Sequence, residues 1–239
     1  MSAPENLTVF NGIDISRLVI VEDVERPVLA KHRLDSKQLP GASYLHVASN
    51  GYEAPVIKLS CRLRRPRLHD VADALHELAE VLHSERPCRL ILPDDRTRSY
   101  MAIYAGGDTF KTQLYKTEFT LTFQLVDPIA YGAHHKKHYN KHMVAVTGGT
   151  YRTRPVIRVT PEAGTTYWEV RNTTSGRYVG VHANFDGYSQ LVVDMQLERA
   201  TLNKHDTAVD LYSDFFSIST GDVLTATSEY TIEWEERFI

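Results

Sequence analysis

The chain has 239 residues, and its 27 basic and 30 acidic side chains give a net charge of −3. Hydrophobic residues make up 42% and charged residues 24%, the composition of a globular protein with a real core rather than of a disordered chain. The lack of a basic surplus argues against a dedicated nucleic-acid binder, because phosphate neutralisation supplies most of the affinity of such proteins. No apolar stretch approaches the about 20 residues of a membrane helix, so we expect no membrane insertion.

The start of the chain and its cysteines indicate where the protein folds. Residues 1–12 contain no basic segment followed by an apolar one, so we expect no signal peptide. Cys61 and Cys88 are too few for a disulfide framework, and both lie in apolar stretches. We therefore expect buried free thiols in a chain that is made and folds in a reducing cytoplasm.

Alternating patterns dominate the chain and predict strands. Every second residue from Phe119 to Leu125 is Phe or Leu, and the residues between them are polar. This period of two over residues 118–126 is typical of a half-buried strand. Residues 57–64 and 230–235 repeat the pattern. Shorter Val, Ile, Tyr and Thr runs between turn residues add further predicted strands.

One segment has a helical period instead. Between Pro66 and Pro87, apolar residues recur at spacings of three and four, which predicts an amphipathic helix over residues 68–83. A single helix among many strands indicates a mainly β (α+β) fold, with the helix on one face or at one end of a sheet. The predicted apolar stripe consists of Leu68, Val71, Ala72, Leu75, Leu78, Ala79 and Leu82.

The pattern changes near the middle of the chain, which predicts three regions. Residues 1–130 should form an N-terminal β-sandwich-like domain that includes the helix. Residues 131–153 contain a polar, histidine- and lysine-rich run followed by two glycines, and we expect a connector there. Residues 154–239 hold eight or nine short predicted strands, the spacing of a C-terminal β-sandwich.

The connector contains a candidate metal site. His134, His138 and His142 are spaced by four, so on a helix they would lie on one face, where imidazoles bind zinc or nickel. No acidic residue accompanies them, and three lysines in the same run would repel a cation. A solvated, cationic connector is the interpretation that we prefer.

Other charged residues offer little chemistry. Asp94 and Asp95 are adjacent, so in an extended segment they would point to opposite faces, and a turn explains them better than a catalytic pair. The run of arginines at positions 62, 64, 65 and 67 suggests phosphate contacts or, as we prefer, a solvated or subunit-facing edge. The sequence has neither a phosphate-binding glycine loop nor a nucleophile elbow, so we predict no catalytic residues.

The two tryptophans raise the question of sugar binding. Trp168 follows Tyr167 on a predicted strand, so one of the two faces outward, and an exposed ring of this kind could stack on a sugar. Trp234 lies on the apolar side of its alternating strand and is expected in the core. Trp168 is therefore the aromatic candidate for a carbohydrate site.

Taken in order, several motifs resemble the distal tail protein (Dit) family of siphophages, which have long, non-contractile tails. The most specific piece is FTLTFQLVDPIAYG at residues 119–132, an alternating strand closed by Asp-Pro and an aromatic residue. The resemblance covers nearly the whole chain but matches neither the histidine-rich connector nor, closely, residues 165–186. The other matching segments are residues 10–27, 39–44 (LPGASY), 54–63, 87–106, 189–203 and 211–228.

This resemblance implies a structural role in the virion. Distal tail proteins form hexameric rings at the tip of the tail, as the hub of the baseplate. Their N-terminal domains close the ring and their galectin-like C-terminal β-sandwiches project outward. The ring joins the tail tube protein to the tail-associated fibre or spike protein, often carries receptor-binding proteins for host attachment, and lets DNA pass through its lumen. The resemblance implies no enzymatic activity and no cofactor.

Two alternatives remain open at the level of the sequence. The first is a carbohydrate-binding adhesion module that contacts the host cell wall. His182 and Asn184 match the first two positions of a galectin-type sugar motif, but Phe185 and Asp186 replace its Pro and Arg, so the motif does not carry over. The second is a tail-associated hydrolase, for which the sequence offers no paired-carboxylate, thiol or metal site.

Overall fold

A computed structural model describes residues 7–38, 43, 45–64, 68–107 and 118–239. It divides the chain into two compact units, Met1–Ala130 and Tyr131–Phe238. Apart from Ser43, the motif at residues 39–44 lies outside the described residues, as do Arg65, Pro66 and Arg67. Strands dominate both units and α1 is the one helix in the described part of the chain, so the prediction of a mainly β fold is confirmed.

Unit 1 consists of an antiparallel sheet, a helix and a separate hairpin. The sheet has the order β3-β6-β9-β8-β7-β1-β2, and β4 pairs with β5 alone. Strand β9 begins in unit 1 and ends in unit 2. The elements are β1 (Val9–Phe10), β2 (Ile13–Asp14), β3 (Val19–Glu25), β4 (His32–Gln38), β5 (Leu45–Tyr52), β6 (Val56–Leu63), α1 (Leu68–Leu82), β7 (Cys88–Leu92), β8 (Asp95–Gly107) and β9 (Glu118–Tyr139).

The first hairpin shows how the local sequence sets a turn. Asn11 and Gly12 connect β1 to β2 with φ angles of 52° and 76°. Positive φ at both central residues is what a tight turn between right-twisted strands requires, and Asn-Gly meets that requirement with the least strain.

Helix α1 covers the core of unit 1. The predicted helix is confirmed, and Val71, Leu78 and Leu82 of its predicted stripe are buried. Ala72 and Ala79 of the stripe are exposed, whereas Ala74 and Val81, which the stripe did not include, are buried. The buried face is therefore rotated relative to the predicted one. The core beneath contains Phe10, Leu59, Leu90, Leu121 and Phe123.

The two cysteines are free thiols. Cys61 is buried, and burial raises the pKa of its thiol to about 12, so it remains protonated and inert at neutral pH. Cys88 is half-buried at the start of β7, with its Sγ 3.0 Å from the hydroxyl of Ser84.

Unit 2 is a sandwich of two antiparallel sheets. One sheet has the order β16-β15-β14-β11-β18-β9, and the other β10-β17-β12-β13. Trp168, Tyr230 and Phe216 are the largest side chains of the core between them. The strands are β10 (His142–Val144), β11 (Val156–Val159), β12 (Tyr167–Asn172), β13 (Tyr178–His182), β14 (Leu191–Asp194), β15 (Arg199–Leu202), β16 (His205–Thr207), β17 (Val223–Ala226) and β18 (Tyr230–Phe238).

The region predicted as a connector is structured in a different way. Strand β9 continues to Tyr139, and β10 follows at His142–Val144. Residues 131–142 therefore lie in or between strands of unit 2 rather than in a solvated linker. Two polar contacts with carboxylates on β18 hold this segment in the sheet: His135 Nε2 lies 2.8 Å from Glu236, and Lys136 Nζ lies 2.8 Å from Glu233.

Candidate interaction surfaces

An open apolar groove lies beside helix α1 in unit 1. It has a volume of about 340 Å³ and lies between the helix and strands β8 and β9. Its walls include Leu75 and Ala79 from the helix and Tyr104 and Phe119 from the strands. Ala72, on the same helix, is also exposed.

The candidate metal ligands do not form a metal site. His134 and His138 are exposed on strand β9, and His142 is exposed on β10, so the helix that would have aligned all three imidazoles on one face is not formed. His138 makes contacts of its own, with Nδ1 3.3 Å from the hydroxyl of Thr231 and Nε2 3.5 Å from Glu229. Among the described residues, no group of three or more His, Cys, Asp or Glu is arranged to hold a metal ion.

The described arginines of the basic run are engaged within the chain. Arg62 pairs with Glu22 at 2.8 Å, and Nε of Arg64 donates to the backbone oxygen of Ser16 at 2.9 Å. Both side chains are exposed, in agreement with a solvated position for these arginines. Asp94 and Asp95 are also paired, with Arg26 and Arg98 respectively.

The structure corrects the expectation that Trp168 offers an exposed aromatic platform. Trp168 is only 1% exposed, and its indole N–H donates to the hydroxyl of Ser228 at 3.1 Å. Its neighbour Tyr167 is the residue that faces outward. Trp234 is buried as expected, and its N–H donates to the backbone oxygen of Thr147.

The two remaining carbohydrate candidates lie at the end of strand β13 and beyond it. His182 is exposed and pairs in register with Tyr167, and their ring centroids are 4.6 Å apart. Asn184 is exposed in the following loop. The structure therefore places His182 beside an aromatic ring, but that ring belongs to Tyr167 and not to Trp168.

Sequence reasoning missed a polar network that surrounds this pair. On β12, Glu169 accepts hydrogen bonds from the Tyr167 hydroxyl at 2.7 Å and from Nε of Arg171 at 2.8 Å. The Arg171 guanidinium lies 4.5 Å from the ring centre of Tyr178 on β13. The alternation of Tyr, Glu and Arg along β12 was readable in the sequence, but the partners from β13 depend on strand register.

Comparisons with known proteins agree with this architecture. Residues 148–238 match the family model of the siphovirus-type tail component, C-terminal domain. The crystal structure of the Dit protein (gp 19.1) of phage SPP1, described as a paradigm of the hub adsorption apparatus in phages that infect Gram-positive bacteria, matches with a TM-score of 0.87. That match covers 98% of this chain and 99% of the other, at 18% identity.

A second solved structure is more distant. The baseplate of phage p2 in its activated conformation with Sr contains a chain that matches with a TM-score of 0.53 at 9% identity, over 94% of this chain and 92% of that one. A search of curated proteins finds no match. No helix in the described part of the chain is long and apolar enough to cross a membrane.

These findings support one class of protein, the structural components of phage tails. Residues 148–238, most of unit 2, match the siphovirus-type tail component model, and the fold of the whole chain is similar to that of the SPP1 Dit protein. Together the two matches support the interpretation of the chain as a siphophage distal tail protein, a structural component of the baseplate hub.

Proposed function

We propose that six copies of the chain form a ring at the tip of the tail. The ring joins the tail tube protein to the tail-associated fibre or spike protein, and its lumen lets DNA pass during ejection. The observation that carries this proposal is the match to SPP1 Dit over almost the full length of both chains. In this proposal, residues 1–130 form the ring, and the β-sandwich of unit 2 projects outward and carries receptor-binding proteins.

Ring closure requires one surface to bind a different surface of the neighbouring copy. The exposed side of helix α1 meets the requirement for one of these surfaces. Ala72 and Ala79 are small, apolar and exposed, and the groove next to Ala79 offers a recess for a side chain of the neighbour. We therefore assign this side of the helix to the contact between subunits.

The mass of the purified protein tests the ring. Light scattering should give about six times the 27.1 kDa of one chain, because a closed ring satisfies every heterologous contact. Negative-stain images of the same peak should show rings with a central hole. A monomeric mass at the highest attainable concentration would contradict self-assembly.

Arginine substitutions on the helix test the assigned contact. Ala79→Arg and Ala72→Arg should reduce the mass to that of smaller species, since a charged side chain would be buried without a partner. The matched control is Leu197→Arg on an exposed turn of unit 2, where the wild-type side chain is 66% exposed; it should leave the mass unchanged. Intact rings from folded Ala79→Arg protein would exclude this side of the helix.

A further inference from the structure

The outer face of the β10-β17-β12-β13 sheet carries a built cluster of side chains. In the pairing of β12 with β13, Tyr167 lies opposite His182, Glu169 opposite Gly180, and Arg171 opposite Tyr178. The alternate residues Trp168, Val170, Val179 and Val181 are buried in the sandwich core. Because side chains alternate along a strand, the first set faces away from the core.

Gly180 gives the cluster its shape. A Cβ at this position would lie 2.5 Å from the Tyr167 hydroxyl oxygen and 2.9 Å from ring atom Cε2. The ring of Tyr167 therefore lies across the backbone of β13, where only glycine leaves room for it. Tyr167 is half-buried, so part of its ring covers strand β13, and part remains exposed beside the ring of His182.

Hydrogen bonds hold the ring and the charges in fixed positions. The Tyr167 hydroxyl and Arg171 Nε each donate to a different oxygen of Glu169, and the Tyr178 hydroxyl donates to Asp210 at 3.4 Å. Burial, together with the hydrogen bond to Glu169, raises the pKa of Tyr167 far above its usual value. Its hydroxyl is therefore a hydrogen-bond donor to Glu169 throughout the neutral range.

The cluster retains hydrogen-bonding capacity that the described part of the chain does not use. The terminal Nη groups of Arg171 and the ring nitrogens of His182 have no hydrogen-bond partner among the described residues. The oxygens of Tyr167 and Glu169 keep free lone pairs. Donors and acceptors thus lie around a partly exposed aromatic ring.

We propose that this face is a binding site for a neutral saccharide. The apolar C–H face of a sugar ring packs on Tyr167, while neighbouring hydroxyls accept hydrogen bonds from Arg171 and donate to Glu169. Arg171 and Glu169 compensate each other at the centre, and Asp210 adds a negative charge beside Tyr178, so the site favours a neutral polyhydroxyl ligand over a phosphate or carboxylate. All residues of this site belong to one chain. The site therefore does not depend on the proposed hexameric assembly, and the two proposals are tested separately.

An array of oligosaccharides tests the proposal with the full chain. It carries neutral glycans that end in galactose, glucose, N-acetylglucosamine or rhamnose, together with sialylated and phosphorylated ones. We expect binding to at least one neutral glycan, which is then titrated by calorimetry. Binding to none of the neutral glycans, or to the anionic ones alone, would overturn the proposal.

Variants assign the binding to the cluster. Tyr167→Ala and Arg171→Lys should each weaken the titrated interaction by about tenfold, the loss expected for a packing platform or a charge-assisted hydrogen bond. Arg171→Lys keeps the charge beside Glu169, so it provides a test even if Tyr167→Ala does not fold. Tyr52→Ala is the matched control, because Tyr52 makes a similar ring contact with His32 on the hairpin of unit 1, at 4.3 Å. Wild-type affinity in both folded cluster variants, or loss in the control alone, would refute the assignment.

Discussion

Glu233 connects strands of unit 2 through two charge contacts. Its carboxylate lies 2.8 Å from Lys136 Nζ on β9 and 3.2 Å from Arg158 Nε on β11, and 15% of its side chain is exposed. The hydrogen bond from Lys136 is the main reason that the pKa of Glu233 lies below its ordinary value of 4.5, and Arg158 adds to this effect against the cost of burial. One carboxylate thus joins three strands.

The substitution Glu233→Gln should lower the free energy of unfolding at pH 7 by about 1 kcal/mol, a modest effect because both cations are half exposed. Since the folded pKa is depressed, the contribution is complete above the unfolded pKa and is lost as the pH falls through the folded value. Urea denaturation at pH 7 and at about pH 3 measures this. The difference between wild type and variant should shrink at the lower pH.

Glu229→Gln is the matched control for that experiment. The Glu229 side chain is 69% exposed and lies 3.5 Å from His138, so the substitution should change the free energy of unfolding by less than about 0.5 kcal/mol. A difference for Glu233→Gln that persists undiminished at low pH would show that packing, not charge, is responsible.

At the scale of elements, the close approach of residues 148–151 to strand β18 depends on glycine. A Cβ on Gly149 would overlap the backbone oxygen and nitrogen of Arg237. Gly149→Ala should therefore cost about 3 kcal/mol, because backbone on both sides would have to move. Chemical denaturation measures the loss.

Gly176→Ala separates this overlap from the loss of glycine's backbone freedom. Gly176 has a φ of 75° and nothing within 4 Å of an added Cβ. The substitution should cost only about 1 kcal/mol, the strain of alanine in the left-handed region. Equal losses in the two variants would contradict the role of the close approach.

Helix α1 and strand β9 differ in how far their sequences predict them. Helix α1 was predictable because its apolar period is intact, and the structure ends it at Leu82, one residue before the predicted end. The first half of β9 was predictable from the alternation that begins at Phe119. Its second half was not, because there the neighbouring strand supplies carboxylates such as Glu233 and Glu236 rather than apolar partners. From the sequence alone, a run of charged residues such as the second half of β9 therefore resembles a linker, because its partners on the neighbouring strand are not visible.

The outer sheet face was predictable only in part, for a related reason. His182 is a candidate from a sequence motif, whereas the sequence shows only that one of the adjacent Tyr167 and Trp168 faces outward, and Trp168 is the wrong one of the two. Which of two adjacent aromatics faces the core depends on the register with β13, where Trp168 lies opposite Val181. Strand register is a non-local property that one sequence does not display.

At the scale of the whole molecule, charge connects the single chain to the proposed ring. One chain has a net charge of −3, so six copies carry six times that value, and the ring as a whole is acidic. DNA is retained by proteins that neutralise its phosphates, and retention weakens steeply with salt. A conduit for DNA must instead let it slide, which an acidic or neutral assembly permits.

The purified assembly should therefore fail to retain double-stranded DNA. In a gel-shift assay at about 10 μM protein and about 0.15 M salt, we expect no shifted band, whereas nonspecific binders reach dissociation constants of about 1–100 μM. A basic protein of similar mass in the same assay shows that the DNA is competent to bind. A shifted band whose affinity falls steeply with added salt would reveal a basic surface on the assembly, and the argument that net charge allows sliding would then fail even if the ring itself were observed. If DNA stays unbound while rings are visible in the same sample, the result supports a ring whose lumen lets DNA pass without binding it.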